Sequence, residues 1–210
     1  MVGVLASRRS VMTLYAQADD PIGHGVRIVL AEKDVNVDIN YIHADDRPED
    51  LFDLNPYNKV LTLIDRELVL YDAQIMMEYL DERFPHPPLM PANPVARAMN
   101  RQVRQRMIHD LYGLIESLTG KNDISATTAR RVIRDHLTVI TPAFTQHHYF
   151  ISNDYSLVDC CLAPLLWRLD IFGIKLRAEA KPLLNYAERL FSRSAFKQSL
   201  SPTEREMAAK

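Results

Sequence analysis

The stretch LDERFPHPPLMPANP, residues 80–94, separates two unlike patterns in the sequence. Pro85, Pro87, Pro88, Pro91 and Pro94 all fall within it. Proline fixes φ and carries no backbone N–H, so these residues belong neither to a helix interior nor to a central strand. The stretch is a stiff loop, and its role depends on what lies on either side.

Upstream, strands alternate with helices. Ser10–Ala16 (SVMTLYA) alternates apolar and polar residues and predicts a strand. Asp20-Pro21 then supplies an N-cap and a first-turn proline for a helix that runs through Val26, Ile28, Val29, Leu30 and Ala31 and ends near Lys33-Asp34. Val35–His43 alternates strictly, with Val35, Val37, Ile39 and Tyr41 on one side, and predicts a second strand. PEDLFDLNP reads as a short helix stopped at Asn55-Pro56. Val60–Asp72 reads as a hairpin turning at Asp65-Arg66-Glu67, and AQIMMEYLDERF as an amphipathic helix with Ile75, Met76, Tyr79 and Leu80 in one stripe. The order is β-α-β-α-β-β-α. The first two strands are joined through a helix, so they lie parallel.

Downstream the periodicity is helical throughout. One long helix is predicted over Asn93–Leu118, with Met99, Val103, Met107, Leu111, Leu114, Ile115 and Leu118 at helical spacing. ATTARRVIRDHLTVITPAFTQ predicts a second. SLVDCCLAPLLWRLDIF predicts a third, apolar almost all round and hence the buried centre of this half. KPLLNYAERLFSR predicts a fourth, followed by a short SAFKQSL and a charged tail. Ser156 and Asp159 form an S-x-x-D capping box at the start of the third helix, where buried N–H groups need partners other than water.

The composition excludes several classes. The chain has 210 residues, 47% of them hydrophobic and 25% charged, with a net charge of −2. These are values of a globular chain with no electrostatic footprint for nucleic acid, so no direct sequence-specific nucleic-acid binding is expected. No segment is apolar for long enough to cross a bilayer, and the N-terminus does not read as a signal peptide. The two cysteines, Cys160 and Cys161, are adjacent and on one helix, so they point apart. They have no spaced partners for a zinc site or a redox pair, which suits a reducing, cytoplasmic setting. His147-His148 lacks a third ligand, and no metal or cofactor is expected.

The stretches RSVMTL, HGVRIVLAEK, MEYLDERFPHPPLMP, PVAR, SLVDCCLAPLLWRL and EREM, together with the element order and the placed capping box, resemble the stringent starvation protein A family, bacterial regulators within the glutathione transferase superfamily. The resemblance implies a glutathione-transferase-like fold. An α/β thioredoxin-like N-terminal domain (β-α-β-α-β-β-α) would span residues 10–86 and an all-α C-terminal domain residues 93–200, with the proline-rich interdomain loop at 85–92. It further implies a homodimer without transferase activity, associated with RNA polymerase holoenzyme carrying the primary sigma factor and acting under starvation and acid stress.

The superfamily's catalytic features can be sought residue by residue. The donor that stabilises the glutathione thiolate would fall on Asp20, whose carboxylate would repel it. Tyr15 and His24 are nearby substitutes, Tyr15 reading more simply as packing beside the strand. The cis-proline before the third strand is replaced: Val60-Leu61-Thr62-Leu63 stands where the family has V-P-T-L, and a cis bond before leucine costs about 3–4 kcal/mol. The acid–serine pair is Asp72-Ala73, which keeps a helix cap and loses the hydroxyl. These substitutions make a transferase improbable and leave, as the alternative, a glutathione or thiol-ligand binder or a residual transferase.

Two surfaces remain as candidates. Arg97, Arg101 and Arg104 recur on one side of the first long helix and predict a solvated basic stripe or a contact with an acidic partner or the other subunit, of which the resemblance favours the other subunit. Pro85, His86 and Pro87 predict an exposed, pre-ordered ridge. In the resembling family this Pro-His-Pro surface is the part on which activity depends. The family's aromatic residue a few positions on is Asn93 here.

Overall fold

The computed structural model describes residues 11–43, 48–57, 59–120 and 122–207; for Glu49, Asp50 and Phe52 only the backbone is described. The chain divides into two compact units. The first contains Met1–Pro87 and Gln198–Lys210, the second Pro88–Lys197.

The first unit is built on a four-stranded sheet in the order β2-β1-β3-β4, with β1 at Met12–Ala16, β2 at Val37–Tyr41, β3 at Thr62–Asp65 and β4 at Leu68–Leu70. β1 runs parallel to β2 and antiparallel to β3, and β3–β4 is an antiparallel hairpin. Helix α1 (Pro21–Glu32) makes the crossover, α2 (Glu49–Leu54) precedes β3, and α3 (Ala73–Arg83) closes the repeat. Met12, Thr13, Leu14 and Ala16 are all buried because β1 is central and covered on both faces, which blunts the expected alternation. β2 is an edge strand and keeps its alternation as a half-buried face. Ser10, the first residue of the expected first strand, lies outside the described residues.

Local chemistry fixes the helix ends. Asp20 caps α1, accepting from the N–H groups of Ile22 (3.0 Å) and Gly23 (2.9 Å). At the other end Asp34 adopts φ +51, a left-handed conformation that aspartate tolerates. Asp34 N–H then donates to Ala31 O (3.2 Å) and Val35 N–H to Leu30 O (3.1 Å), a Schellman motif that holds Lys33 as C-cap. In α3 the buried stripe is Ala73, Met76, Met77 and Leu80. Ile75, expected in that stripe, is 58% exposed.

The second unit is helical: α4 (Pro94–Asp110), α5 (Ile115–Thr119), α6 (Asp123–Ile140), α7 (Leu157–Trp167) and α8 (Lys181–Ser192), with α9 (Ser194–Ser199) running to its edge. The predicted helix over Asn93–Leu118 is broken by a 3₁₀ turn at Tyr112–Leu114. Gly113 disfavours helix there, and the buried Tyr112 hydroxyl leaves the helical path to donate to Cys161 O of α7 at 2.5 Å. Met99, placed in the core stripe by spacing, is exposed. The basic stripe is also corrected: Arg104 is 2% exposed, and its Nε donates to Asn100 Oδ1 at 2.9 Å. The second predicted helix ends at Ile140 and turns 3₁₀ over Thr141–Thr145, and the third stops at Trp167. Every residue of α7 from Leu157 to Leu166 is buried, as its composition predicts.

The largest departure is at the C-terminus. The charged tail is a helix, α10 (Pro202–Met207), and it belongs to the first unit. Ser201 and Glu204 form a reciprocal capping box: Ser201 N–H donates to Glu204 Oε2 (2.9 Å) and Glu204 N–H to Ser201 Oγ (3.1 Å). Glu204 then faces Arg27 of α1 in a two-pronged ion pair, both bonds at 2.8 Å and both side chains fully buried.

Candidate functional site

The start of α1, where the resemblance would put a transferase's thiol, brings together Asp20, Gly23 and Leu61. Both Asp20 oxygens accept backbone N–H bonds, so this side chain offers acceptors where a thiolate requires a donor. A Cβ placed on Gly23 would come within 3.1 Å of Asp20 Oδ2 and 3.4 Å of Leu61 Cδ1, so the Leu61 side chain packs over the helix start. The Val60–Leu61 peptide is trans. Among the described residues the one cis peptide is His86–Pro87. Asn55, 1% exposed, holds the loop that carries Leu61: its Nδ2 donates to Lys59 O (2.8 Å), Leu61 O (3.3 Å) and Thr62 Oγ1 (3.1 Å).

The other candidates are engaged elsewhere. Asp72 Oδ1 caps α3 through Gln74 N–H (2.8 Å) and Ile75 N–H (3.1 Å), and Ala73 is buried. His24 is fully buried, with Nε2 3.0 Å from Ser199 Oγ and Nδ1 3.4 Å from Glu204 Oε1. Tyr15 packs on Leu54 and Ile64, beside Val69. Neither Asp20 nor Leu61 therefore offers a side-chain donor to a glutathione thiolate. Among the described residues no cluster of metal-ligating side chains occurs.

The ridge is placed differently. Pro85, His86, Pro87 and Pro88 are exposed, while Phe84 is half-buried and Leu89 and Met90 are buried. Phe84 N–H still donates to Leu80 O (3.0 Å), so the ridge leaves directly from the last turn of α3. Beside it Tyr79 donates to Asp65 Oδ2 at 2.6 Å, and the Arg83 guanidinium lies 5.4 Å from the Phe84 ring. Burial, followed by the bond to the Asp65 carboxylate, pushes the Tyr79 hydroxyl above its usual pKa, so it stays a donor. Asn93 lies in the second unit. It is exposed, and its Oδ1 caps α4 through Val95 N–H (2.9 Å) and Ala96 N–H (3.2 Å).

Sequence reasoning missed the residue beneath the ridge. Lys33, its side chain 0% exposed, donates from Nζ to Asp81 Oδ1 at 2.6 Å and to Pro87 O. No local signal marks this, because the three groups come from α1, α3 and the loop. Glu204 was legible in principle: Ser201-Pro202-Thr203-Glu204 carries the capping-box pattern with proline at the first helical position.

Comparison with known proteins agrees with this fold. The family model described as the glutathione S-transferase N-terminal domain matches residues 10–82, and that of the C-terminal domain matches residues 95–194. A stringent starvation protein A homolog from Coxiella burnetii is 44% identical over 95% of this chain and 96% of its own length. The chain belongs to the stringent starvation protein A family. A second such homolog, from Pasteurella multocida, is 45% identical over 93% of this chain and 92% of its own. The fold is shared with catalysts. A glutathione S-transferase from Xylella fastidiosa superposes with a TM-score of 0.83 at 18% identity, covering 92% of this chain and 98% of that one. This member of the stringent starvation protein A family thus has a glutathione transferase fold, with a carboxylate cap and a leucine at the start of α1.

Proposed function

We propose that the protein is a cytoplasmic homodimeric regulator that binds RNA polymerase holoenzyme carrying the primary sigma factor and redirects transcription in starvation and acid stress, without transferase catalysis. The observation that carries this reading is the contrast between two places in the first unit. At the start of α1 the Asp20 side chain offers only acceptors, and the Pro85-His86-Pro87 ridge is exposed, stiff and anchored. A pre-ordered apolar edge loses little conformational entropy on docking. The regulatory role itself is supported by the homologs named for stringent starvation.

Tagged protein is expected to retain polymerase from a lysate, and a Pro85→Ala/His86→Ala/Pro87→Ala variant with an unchanged circular dichroism spectrum is expected to lose it. Equal retention by both would remove the ridge as the contact.

Titration calorimetry with glutathione is expected to show no binding heat at millimolar ligand. A saturable heat would instead support a thiol-ligand binder, and conjugation of a standard electrophile above the uncatalysed rate would restore the transferase reading.

A further inference from the structure

We propose that the Lys33–Asp81 ion pair positions the Pro85-His86-Pro87 ridge for its partner, so that capture depends on two residues whose side chains the partner does not reach. The inference rests on the ridge being the partner surface.

The argument begins with what proline lacks. Pro85, Pro87 and Pro88 have no N–H, so at these three positions the backbone can be tied down only through carbonyl oxygens, and each tie needs a donor from elsewhere. The structure shows two such ties. In the second unit Leu89 O accepts from Leu157 N–H, at the start of α7, at 2.9 Å. In the first unit Pro87 O accepts from Lys33 Nζ.

The second tie is chemically unusual. An ammonium is a donor-only group on a flexible stem, strongly hydrated in water, and its burial is unfavourable unless it is paired. Here the stem is fixed at its base by the Schellman motif and its charge is met by Asp81 Oδ1 at 2.6 Å. Asp81 is itself 7% exposed and sits in the last turn of α3, from which the ridge emerges. Buried pairs of this kind are often replaceable by apolar residues of similar volume with no loss of stability. An apolar pair would fill the same space and still be unable to hold a carbonyl. The distinctive contribution of Lys33 is therefore its bond to Pro87 O, and Asp81 keeps the ammonium aimed at it.

The test separates stability from positioning. Lys33→Met and Asp81→Leu singly each remove one member of a buried ion pair and are expected to lower the urea midpoint. The Lys33→Met/Asp81→Leu double variant removes both charges and is expected to return to the wild-type midpoint. Its hydrogen exchange over residues 82–90 is nonetheless expected to quicken by about tenfold, the scale of one lost charge-assisted hydrogen bond, with β1 and β3 unchanged. Its capture of purified polymerase holoenzyme is expected to fall as far as that of the Pro85→Ala/His86→Ala/Pro87→Ala variant. Asp81→Asn keeps an oxygen for Lys33 and leaves the Pro87 bond in place, and is expected to capture within about twofold of wild type. If the folded double variant captures normally while the ridge variant does not, the positioning role is wrong and the ridge reading stands. If Asp81→Asn keeps wild-type hydrogen exchange over residues 82–90 and still loses capture as fully as the double variant, the positioning role is also wrong. If the ridge variant captures normally, the ridge reading fails and this inference fails with it.

Discussion

Glu204→Ala is expected to lower the unfolding free energy by about 3–5 kcal/mol, the usual result of leaving one member of a buried ion pair uncompensated. Arg27 Nη1 and Nη2 each reach a Glu204 oxygen at 2.8 Å, and neither side chain is exposed. After the change, Arg27 keeps the 2.8 Å bond to Ser199 O, which is neutral, while Ser201 N–H loses its acceptor. The loss should appear as a lower urea midpoint. The Arg27→Met/Glu204→Leu double variant should recover most of it, since neither charge then remains buried. A loss below about 1 kcal/mol would be that of a solvent-screened pair and would contradict this geometry.

Asp159→Ala is expected to cost about 4 kcal/mol. One carboxylate receives four donors: Phe150 N–H at 3.1 Å and Tyr186 Oη–H at 2.6 Å on Oδ1, Ser156 N–H at 2.8 Å and Ser156 Oγ–H at 3.2 Å on Oδ2. The Ser156 and Tyr186 hydroxyls can rotate, but the Phe150 and Ser156 N–H groups are fixed in direction, and each unmet donor costs about 1–3 kcal/mol before relaxation. Against a typical total of about 5–15 kcal/mol this is a large fraction. Tyr186→Phe removes one bond and should cost about 1–2 kcal/mol. The coupling between the two changes, read from a double-mutant cycle, should be clearly non-zero.

The same carboxyl has a pH signature. Burial raises its pKa above the ordinary 3.8, with the bond from Tyr186 foremost among the donors opposing that rise. Burial and the neighbouring Asp159 charge push the Tyr186 hydroxyl well above its own ordinary value, so it remains a donor. A carboxyl whose folded pKa is raised contributes stability that is fully present below its unfolded pKa and is lost as pH rises through the folded one. The wild type should therefore gain stability relative to Asp159→Asn as pH is lowered from 7 towards 4. A difference that stayed flat across that interval would show that Asp159 binds no extra proton on folding.

How much of this was legible depended on distance along the chain. Helix starts at Asp20, Asp72, Asn93 and Ser156 were readable because the cap and the N–H groups it serves lie within three residues. The hairpin and the apolar α7 were readable from period and composition. The break at Tyr112–Leu114 was hidden because apolar spacing continues through it, and Gly113 was its only local mark. Lys33, Arg27, Arg104 and Glu204 were misread or overlooked because charged residues in an amphipathic pattern are ordinarily solvated. The bonds that bury them include Arg104–Asn100, four residues apart on one helix, Lys33–Asp81, 48 apart, and Arg27–Glu204, 177 apart. In the candidate site, the loss of the glutathione donor set could be read position by position. The tie beneath the ridge could not, since one of its acceptors is a backbone oxygen and every residue has one.

The route of the chain through its two units orders events during translation. The first unit opens the chain and is completed only by Gln198 onward. At about 5–20 residues per second, the carboxylate that neutralises Arg27 leaves the ribosome roughly 10–35 s after it, with 177 positions between them. Closing so long a loop also costs about 2.5 kcal/mol more than closing a ten-residue one. The domain synthesised first is thus the one finished last, and a nascent chain arrested anywhere in the second unit carries a first unit whose Arg27 lacks the Glu204 carboxylate.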